Sequence, residues 1–520
     1  MVGRMLERDK PEVWFAPPLW KEEDGRRQAI AERLPPGHLA RRIDAGLDRL
    51  DLQPLIETYS GAGTPPLRPD LMLKIALYEI ACGKPSPVEW CRDARDCDTV
   101  KWLARGIQPS RTACYDFWYR MAPFFDGWNR QVLEAGIEPG FTPAERAAQD
   151  GTTIAACASR HRLVNAKTLA QRCQELDEKL AEDQRRSATG EPQPARRWMS
   201  KHPRTRRAQR VRYQRATERM AQLQAENQRR RACHRQQPEK IVVSVSDPQA
   251  ACSRDKLHVF RPLYNAQFSC DLDSPFVLAY DVFAHSYDNG TLAPLAERSL
   301  EFTGRKPRTL LADATYASVL DLAACALHGI TLYAPLSQND FSDRLQRKPQ
   351  SNQFTQLPKA AFAWHPEEQT YICPQGHRLE LQGQGWVTRQ GEQRLRTFQF
   401  RCSPQHCCGC PHAATCTPRP EQGRTVTRLE HEELLEELRT RMKTPEAQAL
   451  YRLRSRTVEL AFADLKEHRS LRRFTSRGLH MAKAQVGAVV LVHNLLALLD
   501  LENGRTADAP PRRMLEKMNC

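Results

Sequence analysis

Residues 309–316 read Thr-Leu-Leu-Ala-Asp-Ala-Thr-Tyr. The apolar run predicts a short buried strand over Thr309–Ala312 with Asp313 just beyond its end. A helical pattern follows over Val319–Leu327, and a second apolar strand over Ile330–Leu336. Upstream, strand-like segments recur at Ile241–Val245, His258–Ser269 and Phe276–Val282, and a helix starts near Leu292. The series begins near residue 145, where Ala-Ala-Gln-Asp150 runs into Gly-Thr-Thr-Ile-Ala-Ala-Cys-Ala-Ser, small and β-branched residues after a Gly turn signal. Downstream the pattern is helical, over Leu429–Met442, Pro445–His468 and Met481–Leu499.

Strands, a helix, then strand–helix–strand–helix is the order of an α/β, ribonuclease-H-like (retroviral-integrase-like) core, expected over 141–339 and 423–500. Before it lies an all-α N-terminal domain, 1–140. Leu71, Ile75, Tyr78 and Cys82 keep helical spacing, with Gly83 as C-terminal cap. Ser86-Pro-Val-Glu89 predicts a capping box opening the next helix, and Ser110 caps a helix carrying Phe117, Trp118, Met121 and Phe124. Two inserts interrupt the core: a basic helical one over 160–237, and a small Cys-rich, β-containing one over 340–422 with strand signals at Trp364 and Trp386. Both tryptophans are read as packing there, with stacking on an unpaired base the alternative. Residues 501–520 carry no periodicity and are expected to be a loose tail.

The chain has 520 residues, 40% of them hydrophobic, and a formal net charge of +16, which points to a polyanionic partner. Lys201–Arg235 alone holds twelve Lys or Arg against two Glu. That stretch is expected to bury little of itself and to serve as a solvated hairpin or a phosphate-tracking arm, with Arg206, Arg207 and Arg210 among its contacts. The N-terminus has no apolar targeting segment, and the longest apolar run, Val486–Leu499, is broken by His493 and Asn494 and reads as a buried helix too short to span a bilayer. Seventeen cysteines without a secretory signal suggest reduced thiols and a cytoplasmic protein with no membrane association.

Asp150, Asp313 and Glu459 are the three carboxylates at the positions this fold uses, on the first strand, after the fourth strand and on a late helix. Cutting a phosphodiester with two divalent metals requires hard oxygen ligands from different elements, which these supply. Arg452, Glu459 and Lys466 are spaced by seven and would share a helix face; an ordinary salt-bridged stripe has the same spacing.

Met442-Lys-Thr-Pro-Glu-Ala-Gln-Ala-Leu-Tyr-Arg, Val458-Glu-Leu-Ala-Phe-Ala-Asp-Leu-Lys466, Leu471-Arg-Arg-Phe and Arg477-Gly-Leu together resemble the C-terminal signature of bacterial insertion-sequence DDE transposases, in the insertion-sequence-four superfamily. The likeness continues through Asp150-Gly-Thr, Ser246-Asp-Pro-Gln-Ala, Tyr264-Asn-Ala-Gln, Ala312-Asp-Ala-Thr-Tyr, Leu67-Arg-Pro and the Gly83–Trp102 stretch, in the family's order. It implies Asp150, Asp313 and Glu459 as ligands of Mg²⁺ (or Mn²⁺), and Tyr451, Arg454 and Lys466 as the Tyr-Arg-Glu-Lys signature, with Arg and Lys gripping phosphates near the transposon end and Arg452 a further DNA-binding candidate. The gap from Arg454 to Glu459 is one residue longer than usual, so Arg456 rivals Arg454. Thr315 stands where relatives often carry Gly. The implied activity is cleavage at transposon ends and joining of the 3′-hydroxyl to target DNA, by a homodimer on double-stranded DNA. A non-catalytic DNA-binding derivative of a transposase and a ribonuclease-H-like nuclease are the alternatives.

Cys407-x-x-Cys410 can place two thiolates on one tetrahedral ion, with Cys373 and Cys416 as the completing pair, and predicts a structural Zn²⁺. Cys402, Cys408, His377 and His412 are further candidates.

Overall fold

The computed structural model describes residues 13–61, 63–186, 196–230, 232–336, 357–388 and 394–504. It divides into two compact units with bounds unlike the segments read from sequence. The first comprises 1–287, 295–306 and 456–520; the second comprises 288–294 and 307–455.

The first unit opens with short helices: α1 (Gly25–Arg33), α2 (Leu39–Gly46), α3 (Gln53–Ile56), α4 (Pro69–Ala81), α5 (Pro87–Asp96), α6 (Asp98–Leu103), α7 (Arg111–Met121) and α8 (Phe125–Ile137). Helix α4 stops as expected. Gly83 takes φ +76° and its N–H bonds to Ile80, while Lys84 N–H bonds to Glu79, a Schellman pair. Ser110 Oγ caps α7 by accepting from Ala113 N–H at 3.1 Å. The capping box at α5 does not form: the Ser86 side chain makes no cap hydrogen bond, and Pro87 at the first position fixes the start instead.

Strand β1 (Arg146–Ala155) follows, then β2 (Leu163–Asn165), the long helices α9 (Ala166–Arg186) and α10 (Pro203–Arg229), β3 (Val242–Ser244), β4 (Ala251–Arg254), β5 (Phe260–Asp271), β6 (Val277–Phe283) and α11 (Leu292–Thr303). Strands β4, β1 and β6 all pair antiparallel with β5. Gly151 marks no turn; it lies mid-strand, opposite Gln267.

Contrary to expectation, the basic insert buries a core of its own. Leu169 and Leu176 of α9 pack with Tyr213, Ala216 and Met220 of α10 and with Val164, Ile241 and Val243 around the β2–β3 pair. A long hairpin becomes stable by sealing its apolar stripe this way, whatever the charge outside.

In the second unit β7 (Thr309–Leu311) runs parallel to β8 (Thr331–Tyr333), joined by α12 (Val319–Leu327). An antiparallel sheet follows: β9 (Ala363–His365), β10 (Thr370–Ile372), β11 (Arg378–Thr388), β12 (Arg394–Cys402), the short helices α13 (Pro404–Cys408) and α14 (Ala413–Cys416), and β13 (Thr425–Leu429), in spatial order 13-12-11-10-9. Strand β13 carries this sheet past residue 422, and α15 (Glu432–Arg441) therefore starts later than Leu429. Trp364 packs against Tyr371 and Phe400, with the Arg428 guanidinium 4.1 Å from its ring centre; Trp386 stays 57% exposed.

Helix α16 (Pro445–Ala463) runs from the second unit into the first and continues as π-helical turns over Asp464–His468. Helix α17 (Leu479–Glu502) closes the chain's core. Its 24 residues make it longer than the predicted run, and by length and composition it is long enough to cross a membrane, although most of its apolar window is buried in the first unit. It packs against α2, α4, α8 and β6, which is why the N-terminal helices and the sheet form one unit. The polar residues within it are satisfied. Asn494 bonds both the N–H and the carbonyl of Val277, each at 2.9 Å, and His493 bridges Asp464 and the Pro275 carbonyl. The tail at 505–520 and all of 337–356 lie outside the described residues.

Candidate active site

Asp150 sits in the middle of β1, half-buried, opposite Phe268 on β5, and accepts the Gly151 N–H at 2.7 Å. Phe268 is buried and meets the ring of Phe462 edge-on, 5.5 Å between centres. Phe462 belongs to α16, three residues after Glu459, so one helical turn separates Glu459 from the side chain that packs opposite Asp150. Glu459 is exposed and, among the described residues, makes no ion pair.

The ammonium of Lys466 lies 4.8 Å from the centre of the Phe462 ring. Burial pulls its pKa down to about 8, Lys256 adds repulsion, and Asp150 opposes both, so Lys466 stands within electrostatic reach of Asp150. The π-helical turns that carry Lys466 are wider than α-turns and take it off the strict seven-residue stripe of Arg452 and Glu459. Buried Asp464 pins those turns through Arg469 and His493.

In the second unit Asp313 lies two residues past the end of β7 and caps the single turn Ala314–Tyr316. Its Oδ1 accepts both the N–H of Thr315 at 2.8 Å and the Thr315 hydroxyl. Tyr451, Arg452 and Arg454 lie on the part of α16 in the same unit; Arg452 is exposed, Tyr451 and Arg454 half-buried. Arg456 is exposed in the first unit.

The three arginines expected on the basic arm differ. Arg206 is 3% exposed; its guanidinium grips Asp183 and the carbonyls of Ser200 and Lys201, so it holds the hairpin together instead of facing solvent. Arg210 pairs with Asp177. Arg207 is exposed.

Cys373, Cys402, Cys407, Cys410 and Cys416 line one small cavity with His377, His406, His412 and Arg424; Cys408 points elsewhere and is exposed. Burial, then the neighbouring thiols of Cys407 and Cys373, pushes Cys402 up to about 12. Sequence spacing had put Cys402 second to Cys416, yet β12 delivers it into the same cavity. Five soft thiol donors around one void suit Zn²⁺ by chemistry. Even so, within neither unit, among the described residues, do three His, Cys, Asp or Glu side chains stand as a group arranged to hold a metal ion.

One feature escaped the sequence reading. In Ser246-Asp-Pro-Gln-Ala, Asp247 accepts from Tyr264 Oη at 2.7 Å and from Gly478 N–H at 3.2 Å, and Gln249 accepts from Leu479 N–H at 2.9 Å. The motif thus holds the start of α17.

Two family models match the chain. One, described as a transposase DDE domain, covers residues 372–499 and includes Glu459 and Lys466; the other, described as a transposase domain, covers residues 28–117. Asp150 and Asp313 lie outside both. No curated protein matches the chain.

Proposed function

We propose that the chain is an insertion-sequence DDE transposase, in line with the two transposase models it matches, and that it binds the ends of its element, cleaves phosphodiester bonds there and joins the freed 3′-hydroxyl to target DNA. The observation that carries this reading is the arrangement around Asp150: a strand carboxylate, a helix that brings Glu459 one turn from the Phe462–Phe268 contact, and a half-buried lysine within electrostatic reach.

Asp150, Asp313 and Glu459 are the residues that would hold Mg²⁺ or Mn²⁺, since hard carboxylate oxygens match those ions. Bound there, the ions supply charge stabilisation for the attacking and leaving oxygens. The remaining work falls to the chain. Lys466, carried on pinned turns, meets a phosphate oxygen of the bound strand. Arg452 and Arg454, with Tyr451 beside them, hold the backbone further along α16, and Arg456 is the alternative to Arg454. Thr315 fixes the Asp313 carboxylate. The Cys-lined cavity of the second unit takes a structural Zn²⁺ on Cys407, Cys410 and two of Cys373, Cys402 and Cys416. The working form is a homodimer on DNA, because two ends must be cut together.

Cleavage of end-containing DNA by the Asp313→Asn variant tests the assignment. The reading expects cleavage to vanish while binding persists; undiminished cleavage would remove Asp313 from the site.

A further inference from the structure

Between the π-helical turns and α17 the chain runs through turns and bends over Leu471–Gly478, and its side chains sort by direction. Leu471, Phe474 and Ser476 are buried, whereas Arg472, Arg473 and Arg477 are exposed. The inward residues are fixed from several sides. Phe474 meets Tyr264 edge-on at 5.7 Å, and the Trp118 indole N–H bonds Ser476 Oγ at 2.9 Å. Gln485 of α17, itself buried, accepts from both the N–H and the hydroxyl of Thr475. The backbone is stitched to the end of β1: Phe474 N–H bonds the Ala155 carbonyl at 2.9 Å, and Arg473 bridges Ala155 in parallel register.

The outward arginines extend the same seam. Arg477 Nε donates to the Cys157 carbonyl at 3.2 Å and an Arg473 Nη donates to that of Ala158 at 3.4 Å. Beyond those carbonyls the chain turns through Arg160, His161 and Arg162, all exposed. Arg212 of α10 stands close enough to Arg477 to feel its charge. Among the described residues none of Arg160, Arg162, Arg212, Arg473 and Arg477 has a carboxylate partner. The nearby Asp247, which also feels Arg477, is buried and taken up by Tyr264 and Gly478.

A rigid seam presenting guanidinium groups without acidic partners favours a polyanion, and arginine forks match phosphate geometry. We propose that the turn Arg160–Arg162 and the loop Arg473–Arg477, with Arg212, form a phosphate-backbone contact surface for duplex DNA that does not read sequence; Arg472 is left out because Glu467 occupies it. The basic hairpin suggested by composition is the poorer candidate, because Asp183 and Asp177 occupy Arg206 and Arg210. The surface rests on the transposase reading for its partner, and its test needs no catalysis.

Anisotropy titrations of labelled duplex in EDTA, at several salt concentrations, would compare the full chain with Arg160→Ala/Arg162→Ala and with Arg473→Ala/Arg477→Ala. Each lost phosphate contact lowers the slope of log affinity against log salt by about 0.9. Each double variant is therefore expected to lose about 1.8, equally on end-containing and unrelated duplex, while Arg146→Ala, whose wild-type side chain pairs with Asp273, leaves the slope unchanged. The first variant touches only the solvent-facing turn, so a thermal melt like wild type with an unchanged slope would overturn the proposal. A loss confined to end-containing duplex would overturn its sequence independence. Asp150→Asn assayed in parallel separates the two ideas: cleavage surviving that change would sink the catalytic reading and leave this surface standing.

Discussion

Thr315 closes on Asp313 with two donors at once, backbone N–H and side-chain hydroxyl, both directed at Oδ1. One carboxylate oxygen is thereby fixed, and the rotation of the group with it. The hydroxyl adds a restraint that a glycine at this position could not supply. A hydrogen bond to a charged group contributes about 1.5 kcal/mol, so Thr315→Val is expected to raise the Mg²⁺ concentration for half-maximal cleavage about tenfold. Thr315→Ser should restore it. A metal titration of cleavage rate with both variants checks this.

Lys466 gives a pH dependence. Its pKa is drawn down to about 8, chiefly by burial and then by Lys256. The ammonium is charged below that value and loses its proton as pH rises through it, so the phosphate contact is present at pH 7 and weakens above pH 8. Binding of duplex measured in EDTA should fall between pH 7 and 9. Lys466→Arg, whose side chain stays charged throughout, should remove that fall. The same decline in the arginine variant would assign the titration to another group.

The parallel strand pair with its intervening helix was readable because Thr309–Ala312 and Val319–Leu327 carry opposite periodicities between clear boundaries. Asp313 followed directly. The buried nature of α17 was readable from its apolar run, though its ends were not, since His480 and Asp500–Glu502 fall outside the apolar pattern. Composition misled at the basic hairpin: counting arginines cannot reveal that Arg206 folds back onto Asp183, because the partner lies 23 residues away on another helix. Strand β13 was missed since five residues next to a helical pattern give a weak signal. The holding role of Asp247 needed the tertiary contact with Gly478, which no local pattern carries.

Close packing makes a second kind of expectation. Gly487 of α17 lies so near Tyr280 that an added Cβ would stand 2.5 Å from the hydroxyl oxygen, which donates to Asp126. Overpacking of this sort costs about 1–3 kcal/mol. Gly487→Ala should therefore lower the denaturation midpoint with an unchanged denaturant slope, and a midpoint equal to wild type would show that α17 can shift aside.

For the Cys-lined cavity, elemental analysis of protein purified without chelator should find one zinc per chain. Chelation should then loosen the five-stranded sheet first, read as increased Trp364 solvent exposure by fluorescence quenching, because Cys402 and Cys373 connect its strands to the cavity. Cys407→Ser should do the same, while Cys408→Ser, on an exposed thiol, should not. Zinc-free protein with an intact sheet would make the cysteines a packed thiol cluster.

The most direct test of the central claim is cleavage and joining of a labelled duplex carrying the element's own ends, in Mg²⁺ and in EDTA, for wild type and Glu459→Gln. The account predicts nicked and joined products from wild type in Mg²⁺ alone, and neither from the variant although it still binds the ends. Binding by wild type without any cleavage in Mg²⁺ would contradict it and leave a DNA-binding protein.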